Sequence, residues 1–267
     1  PTPKPRPGFP ARIGPSLSPG GARPGAPSGP SSVKPLPPSH KPTLVTHGMG
    51  MDSQSVRHNM VSKLRQQGVS DALVLKAMGE VERHRFVDSA LVNQAYEDTS
   101  LPIGLGQTIS KPSVVARMLE LLRQGQTGRL GRVLEIGTGC GYQAAVLACL
   151  CSEVYSVERL RGLHDKARDN LRPFRLANLH LILGDGMVGY AKGAPYAGII
   201  SAAGGEALPQ EWIDQLAIGG RVVAPVSAGA MSPAGQALVV LEKTPNGLRQ
   251  TVMEPVHFVP LKSGVER

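Results

Sequence analysis

The sequence predicts a doubly wound α/β fold, in which a mostly parallel sheet is covered by helices and is preceded by further helices. From about residue 132 onward, short apolar and β-branched segments alternate with segments of helical spacing. The first of these strands runs directly into a turn that contains Gly137, Gly139 and Gly141. Acids follow the next two strands, and ligands of such sheets bind at the carboxyl ends of the strands.

The helices ahead of the sheet are predicted over 53–67, 71–81 and 113–123, with Gly68 as a stop signal and Asp71 as an N-cap. Within the sheet region, helices are predicted over 144–151, 160–171 and 210–216. The strands are predicted over 133–136, 154–157, 179–183, 197–201, 221–225, 237–241 and 251–258.

The first fifty residues differ in composition from the rest of the chain. Of its 24 prolines, 14 lie in residues 1–42, and the first acidic residue is Asp52. Such a segment cannot bury enough apolar surface to offset its ordering entropy, so residues 1–50 are predicted to be a disordered, basic, proline-rich tail. The folded domain is predicted over 51–267, with a helical part over 51–130 and the sheet with its closing segment over 131–267.

The charge and the cysteines limit the partners. The net charge is +9, and six positive charges lie in the tail, which has one aromatic residue, Phe9. We therefore expect a solvated linker and no nucleic-acid partner, although a basic tail can in general contact anionic surfaces. No apolar run is long enough for a bilayer, so no membrane partner is expected. The clustered cysteines, Cys140, Cys149 and Cys151, suit neither a disulfide framework nor zinc, which predicts reduced thiols in a cytoplasmic protein without a metal. A monomer is expected separately.

The glycine turn predicts a nucleotide-like cofactor. Glycines permit a tight turn and a close approach of the backbone to a ligand. The dinucleotide fingerprint would place glycine at 142, where this chain has Tyr142, so the spacing argues against NAD. Glu158, 19 residues beyond Gly139, can accept hydrogen bonds from both hydroxyls of a ribose. Its alternative role is that of an exposed acid at a strand end.

Two other acids accompany the turn. Asp185, between two glycines, can accept a hydrogen bond from an adenine amine, or it is a turn residue. Glu135 lies within the first strand, where an unpaired buried carboxylate would be costly. We expect its partners to be the backbone amides of the glycine turn, or else Glu135 is an edge residue.

Five segments of the chain resemble the protein-L-isoaspartate O-methyltransferase family. They are Arg-His-Arg-Phe-Val at 83–87, Ala-Tyr-Glu-Asp at 95–98, the segment 101–110, the glycine turn at 135–143, and Pro-Val-His-Phe-Val-Pro-Leu at 255–261. The glycine turn alone is a general methyltransferase signal. Residues 107–110 together with 258–261 are far more specific.

The resemblance implies a class I, Rossmann-like, S-adenosyl-L-methionine-dependent methyltransferase. It implies methyl transfer to the α-carboxylate of L-isoaspartyl residues in damaged proteins and peptides, which leads through a succinimide to normal aspartyl residues. The cofactor-binding residues are then Glu135, Gly137, Thr138, Gly139, Glu158, Asp185 and Gly186. The substrate-binding residues are Ile103, Gly104, Gln107, Thr108, Ile109, Val259, Pro260 and Leu261.

The family also implies that Ser110 lies beside the reacting centre, on a loop that closes over the substrate. A carboxylate nucleophile titrates near ~4 and is already ionised at neutral pH, so no strong general base is needed. The site must supply alignment, which is worth ~7–11 kcal/mol, and a neutral hydroxyl can orient the carboxylate. From residue type alone, Ser110 can instead be a helix N-cap, because Pro112 follows it. Asp98 is either a substrate-orienting acid or a surface carboxylate.

Some positions depart from the family pattern, and other functions remain open. Cys140 stands where serine is common, and Tyr196-Ala197 replaces a Phe-Asp pair. His84 and His257 are interpreted as structural histidines, because no matching carboxylate is evident. One alternative function is methyl transfer to another carboxylate or to a small molecule. The other is a non-catalytic, nucleic-acid-associated binding protein.

Overall fold

The structure, a computed structural model, describes residues 54–229 and 235–266. The predicted tail over 1–50 lies outside the described residues. None of the described helices is both long and apolar enough to span a bilayer.

The helices form close to where the sequence predicts them. Asp71 accepts hydrogen bonds from the backbone N–H groups of Leu73 and Val74 at 2.9 and 3.1 Å, and so caps the second helix as expected. Gly68 follows the first helix with φ +99°, a conformation that favours glycine as a stop signal. The helices are α1 (Gln54–Gln66), α2 (Ala72–Glu80), α3 (Pro112–Arg123), α4 (Tyr142–Leu150), α5 (Arg161–Leu171) and α6 (Gln210–Gln215).

The strands form one large sheet and one small hairpin. The hairpin consists of β1 (Leu101–Gly104) and β2 (Gln107–Ile109). The large sheet contains β3 (Leu130–Ile136), β4 (Cys151–Glu158), β5 (Leu179–Leu183), β6 (Tyr196–Ser201), β7 (Leu216–Ser227), β8 (Gln236–Thr244) and β9 (Gly247–Val256). Its order is β5-β4-β3-β6-β7-β8-β9, parallel from β5 to β7 and antiparallel for the last two pairs. This confirms the predicted doubly wound, mostly parallel sheet.

The two faces of the sheet have separate cores. Along β3, Val133 packs into the core that contains α1 to α5, whereas Leu134 packs into the opposite core around Trp212 of α6. Both β3 residues are fully buried, as expected for a central strand that is covered on both sides. The near-continuous apolar strands therefore fix the sheet between two helical layers.

The structure differs from the prediction at the hairpin and at several element ends. The β1–β2 hairpin was not predicted, because its strands are short and the first contains Pro102. Cys151, which was assigned to the end of a helix, begins β4. The residues after Cys151 include β-branched and aromatic side chains, which favour a strand. The helix therefore ends at residue 150, one residue before the end that the apolar pattern predicts.

The chain reverses its direction of winding at β3. The following strand, β4, lies on one side of β3, and β6 lies on the other. A crevice opens at such a switch point, outside the carboxyl ends of the strands. The glycine turn follows β3 directly, so the topology places this turn in the crevice.

Candidate functional site

A cavity of about 460 Å³ lies at the carboxyl ends of β3 and β4. Its walls come from the glycine turn, the end of β4, the β1–β2 hairpin and the C-terminal segment. The predicted site residues among its lining are Gly137, Gly139, Glu158, Gly186, Ile103, Gln107, Thr108, Val259, Pro260 and Leu261. The fold therefore brings predicted cofactor and substrate residues to one cavity.

The glycine turn depends on two close approaches. Gly139 has φ +57°, and a Cβ atom there would lie 3.2 Å from Cδ1 of Ile103 in the hairpin. Gly141 is the N-cap that precedes α4 and has φ +93°, and a Cβ atom there would lie 2.8 Å from Cδ1 of Leu171. Side chains at these positions would push the hairpin and α5 away from the turn.

Glu158 connects two strand ends. One carboxylate oxygen accepts a hydrogen bond from the Gly139 N–H at 2.9 Å, and the other accepts from the Leu160 N–H at 3.0 Å. The residue is only 5% exposed and lines the cavity. The alternative of an exposed acid at a strand end is therefore wrong.

Glu135 does not bind the amides of the glycine turn, contrary to expectation. Its side chain is fully buried, so it is not an edge residue either. The Ser156 hydroxyl donates to its Oε2, and Thr138 and Ser156 exchange a hydrogen bond at 2.6 Å. Burial raises the pKa of Glu135 to about 8, and the Ser156 hydrogen bond counteracts only part of this effect. Glu158 therefore holds the turn directly, while Glu135 acts on it through two hydroxyls.

Asp185 is occupied by main-chain donors. Its carboxylate accepts hydrogen bonds from the N–H of Met187 at 2.8 Å and from the N–H of Gly264 at 2.6 Å. The first contact is the turn geometry that the sequence offered as an alternative. Gly186, the next residue, lines the cavity.

The hairpin forms the opposite wall. Its tip is Leu105, which lines the cavity, is 62% exposed and has φ +52°. Lys166 of α5 donates to the carbonyl of Ile103 at 2.8 Å and so fixes the hairpin above the glycine turn. Gly104 lies beside the tip with φ +96°, and Ile109 is buried beneath the hairpin. These two predicted residues shape the hairpin.

Ser110 lines a smaller cavity of about 40 Å³, together with Thr138 and Cys140. The N-cap interpretation of Ser110 is wrong, because α3 is preceded by Lys111 and has no side-chain cap. Asp98 instead accepts a hydrogen bond from the Ser113 N–H at 2.9 Å and serves the first turn of α3 from a distant loop. Neither of the two roles predicted for Asp98, a substrate-orienting acid or a surface carboxylate, includes this contact with the first turn of α3.

The C-terminal end contributes more to the cavity than was predicted. Gly204 N–H donates to the Val259 carbonyl, and Leu261 N–H donates to the Gly204 carbonyl, both at 2.8 Å, which places 259–261 beside the end of β6. Beyond them, Lys262 and Glu266 also line the cavity.

Residues 262–266 are named the C-terminal strap. The strap lies against the loop after β4, where the Glu266 N–H donates to the Arg159 carbonyl at 2.9 Å. The Arg159 guanidinium contacts the Gly264 carbonyl and the Glu266 carboxylate, both at 3.1 Å. No periodic pattern marks these residues in the sequence. Their contact depends on polar groups such as those of Arg159 and Glu266, which are 107 positions apart in the chain.

The cysteines and histidines have structural environments. Burial raises the pKa of Cys140 to about 11, so its thiol is neutral near pH 7. His84 shares a 2.7 Å hydrogen bond with the Tyr96 hydroxyl, which agrees with a structural histidine. His257 is exposed, so it is not a buried structural histidine. The residues described contain no group of three or more side chains suited to hold a metal.

The two departures from the family pattern differ in position. Cys140 lines the small cavity beside Ser110. Tyr196 is fully buried in the core around Trp212, and its hydroxyl donates to the Tyr190 carbonyl at 2.5 Å. Tyr196 therefore belongs to a core, and neither it nor Ala197 is among the residues that line the cavity.

Comparisons with known proteins agree with this geometry. The family model described as protein-L-isoaspartate(D-aspartate) O-methyltransferase (PCMT) matches residues 54–266. A protein-L-isoaspartate O-methyltransferase of Methylibium petroleiphilum is 53% identical over 98% of both chains. One of Leptothrix cholodnii is 60% identical over 81% of this chain and 77% of its own.

Solved structures show the same fold. A protein-L-isoaspartate O-methyltransferase aligns with a TM-score of 0.69 at 30% identity, over 78% of this chain and 67% of the other. A Plasmodium falciparum protein assigned to the same enzyme class was solved in complex with S-adenosyl-L-homocysteine. It aligns with a TM-score of 0.66 at 22% identity, over 77% of this chain and 98% of its own, and this likeness concerns the fold alone.

Proposed function

The chain belongs to the protein-L-isoaspartate O-methyltransferase family, and on that premise we propose a role for each part of its cavity. The protein is a repair enzyme that transfers a methyl group from S-adenosyl-L-methionine to the α-carboxylate of L-isoaspartyl residues. The ester carries a methoxy group that leaves more readily than the oxygen of a free carboxylate. The neighbouring backbone nitrogen therefore attacks the ester carbonyl carbon, its proton leaves with the methoxy group as methanol, and a succinimide closes. Hydrolysis of that ring yields aspartyl residues in part.

The wall made by the glycine turn and Glu158 is the proposed cofactor site. A cavity of about 460 Å³ falls in the size range of small-molecule sites. Each oxygen of Glu158 accepts one backbone hydrogen bond and keeps a further lone pair, so the carboxylate can accept from two ribose hydroxyls. A Cβ atom on Gly186 would lie 2.6 Å from Cγ2 of Ile136, so glycine keeps this wall open. The bound cofactor supplies an electrophilic methyl group on a sulfonium.

The wall made by the hairpin and residues 259–261 is the proposed acceptor site. Gln107 and Thr108 line the cavity on one side, and Val259 and Leu261 line it on the other. An isoaspartyl residue forms in a flexible segment, which can enter such a cleft in an extended conformation. Exposed Leu105 at the hairpin tip offers an apolar contact to a neighbouring side chain.

Ser110 is the proposed orienting residue. Its cavity shares Ile103, Thr108, Gly137 and Gly139 with the larger one, so Ser110 lies where the acceptor and cofactor walls meet. Its hydroxyl donates a hydrogen bond to the acceptor carboxylate and leaves the attacking oxygen ionised. Alignment of this oxygen with the methyl carbon is the main catalytic contribution, since in-line positioning is worth ~7–11 kcal/mol.

One observation carries the proposal: residues 103, 105–108 and 259–261 line the same cavity as the glycine turn, although they are far apart in the chain. An isolated glycine turn is compatible with many methyl acceptors. An acceptor polypeptide also needs a surface to bind beside the cofactor, and the hairpin with residues 259–261 provides that second wall.

The test uses labelled S-adenosyl-L-methionine and two peptides that differ only in an isoaspartyl or an aspartyl linkage. We expect base-labile label in the isoaspartyl peptide alone, with a loss of about a hundredfold in kcat for Ser110→Ala. Ser113→Ala, three residues along in the first turn of α3, is the control and retains activity. Equal labelling of both peptides would refute the acceptor assignment, and full activity of Ser110→Ala would refute the assigned role of its hydroxyl.

We further propose a cytoplasmic location. Cys140, Cys149 and Cys151 are all free thiols, which supports a reducing compartment. The monomeric state stays a prediction, to be measured by sedimentation of the full chain.

A further inference from the structure

Arg83 is a buried cation that holds the main chain of Ser110. Its side chain is fully buried, its Nε donates to the Ala95 carbonyl at 2.8 Å, and its Nη2 donates to the Ser110 carbonyl at 2.8 Å. The guanidinium also lies over the Tyr142 ring, 4.7 Å from its centroid. One side chain therefore connects the loop at 95, the loop at 110 and the start of α4.

Among the described residues, no carboxylate forms an ion pair with Arg83, although the charge of Asp98 acts on it from a distance, and its buried Nη1 has no hydrogen-bond partner there. Burial lowers the pKa of this guanidinium, and the nearby Tyr142 counteracts only part of that effect. Even so, a guanidinium stays charged at neutral pH. Another buried arginine, Arg123, is paired with Asp71 at 2.9 Å. An unpaired buried charge is unfavourable for folding, so its presence next to Ser110 calls for a functional reason.

We propose that Arg83 is a positioning residue for methyl transfer, which fixes the Ser110 main chain and places a buried positive charge without an ion-pair partner behind the loop that receives the acceptor carboxylate. This inference rests on the role proposed for the Ser110 loop. Arg83 acts through the peptide group of Ser110 and does not touch the reacting atoms.

The indirect position suits the reaction. A carboxylate attacks a sulfonium, so charge on both reactants disappears as the transition state forms. A cation in direct contact with the nucleophile would stabilise the ground state more than the transition state and would slow the step. A cation behind the Ser110 carbonyl attracts the anionic acceptor while the neutral hydroxyl faces it.

The same side chain also links the acceptor loop to the cofactor turn. Tyr142 is the first residue of α4, which begins directly after Gly141. A displacement of about 1 Å between reacting groups can cost about a hundredfold in rate. By holding Ser110 and contacting Tyr142, Arg83 fixes the position of the acceptor loop relative to the glycine turn.

The experiment compares Arg83→Met and Arg83→Lys in the full chain, with Arg123→Met and Arg123→Lys as matched buried-arginine controls. Each variant is measured for kcat and KM with the isoaspartyl peptide, for the Kd of S-adenosyl-L-homocysteine, and for Tm. We expect Arg83→Met to lose about a hundredfold in kcat/KM for the peptide, while the Kd changes by less than about threefold. Arg83→Lys keeps the charge and should recover at least about tenfold of that loss.

The controls separate positioning from stability. The Arg123 variants lower Tm, because they break the Asp71 ion pair, but they retain the wild-type kcat/KM. The proposal is wrong if Arg83→Met retains full activity, if Arg83→Lys is no better than Arg83→Met, or if activity, affinity for S-adenosyl-L-homocysteine and Tm are all lost together. If Arg83→Met does not fold, a selective loss of peptide kcat/KM in Arg83→Lys supports the proposal, and an unchanged value overturns it.

Ser110→Ala is assayed in parallel. If Ser110→Ala is fully active but Arg83→Met selectively loses peptide turnover, the hydroxyl role fails and loop positioning through the main chain stands. If the wild type labels neither peptide, the acceptor assignment itself has failed, before any Arg83 variant is compared.

Discussion

The carboxylate of Glu158 accepts a hydrogen bond from the main-chain N–H of Gly139 at 2.9 Å, so the acid that ends β4 holds the turn that follows β3. Its other oxygen accepts from the Leu160 N–H, and the side chain is nearly completely buried. Glu158 therefore shapes the proposed cofactor wall before any ligand enters. We expect a substitution here to remove the proposed ligand contact and to loosen the turn at the same time.

We expect Glu158→Gln to weaken binding of S-adenosyl-L-homocysteine by about tenfold or more. The charged carboxylate has two acceptor oxygens, whereas the neutral amide that replaces it has only one. Isothermal titration calorimetry with this product measures binding without turnover. Glu153→Gln is the control, since Glu153 lies on the same strand but pairs with Arg132 at 3.1 Å outside the cavity lining. Equal affinities of wild type and Glu158→Gln would contradict the ribose assignment.

Glu135→Gln tests whether the buried acid carries a proton. The pKa of Glu135 is raised from 4.5 to about 8, so the folded state keeps a proton that the unfolded state loses. The stability of wild type relative to Glu135→Gln is therefore highest below about pH 4.5 and declines as pH rises towards about 8. The decline amounts to a few kcal/mol, since one pKa unit is worth ~1.4 kcal/mol.

Urea unfolding of both proteins between pH 4.5 and 9 gives this difference directly, because the other titrating groups cancel between them. A difference that does not change with pH would show that Glu135 titrates alike in the folded and unfolded states. Ser156→Ala is a useful companion variant, as it removes the hydrogen bond that partly offsets burial. It should raise the pKa of Glu135 further.

Truncation after Leu261 tests the C-terminal strap. The truncated chain loses the Gly264 contact to Asp185 and the Glu266 contacts to Arg159. We expect the Kd of S-adenosyl-L-homocysteine to rise by about tenfold, which corresponds to ~1.4 kcal/mol, while Tm falls little. Val265→Ala, at an exposed strap residue, is the control. An unchanged Kd would exclude the strap from the cofactor wall.

Trp212 offers a reporter of ligand binding. It is the single tryptophan of the chain, it is buried, and its Nε1 donates to the Gly186 carbonyl at 2.8 Å. Gly186 lines the cavity, so a ligand that displaces water there alters the surroundings of this carbonyl. We expect tryptophan emission to change in intensity upon addition of S-adenosyl-L-homocysteine and to saturate at the calorimetric Kd. No change at saturation would contradict the expected coupling.

Much of the fold could be predicted because its signals are local. Apolar strands, the cap at Asp71 and the stop at Gly68 depend on a few neighbouring residues, and the structure has them where they were expected. The β1–β2 hairpin gave no such signal, because seven strand residues, one of them a proline, carry too little periodicity. Its position depends instead on a long-range bond from Lys166 to Ile103.

The roles of the acids were harder to predict than their positions. Glu158 was expected at the cavity and lies there. Glu135 was expected to hold the glycine turn, but Glu158 has that contact, because strands β3 and β4 lie side by side and the turn bends towards β4. The register of neighbouring strands decides which carboxylate accepts a hydrogen bond from which amide, and a single sequence does not specify that register. The Arg159 to Glu266 contact escaped prediction for the same reason.

The C-terminal strap also bears on how the protein is made. The walls of the cavity come from residues between 103 and 266, and residues 259–266 provide the last of them. Translation proceeds from the N-terminus, so the glycine turn and the hairpin leave the ribosome well before these residues. A growing chain can build most of the sheet, yet it has no complete cavity to fill. We therefore expect cofactor capture only after residue 266 has been synthesised.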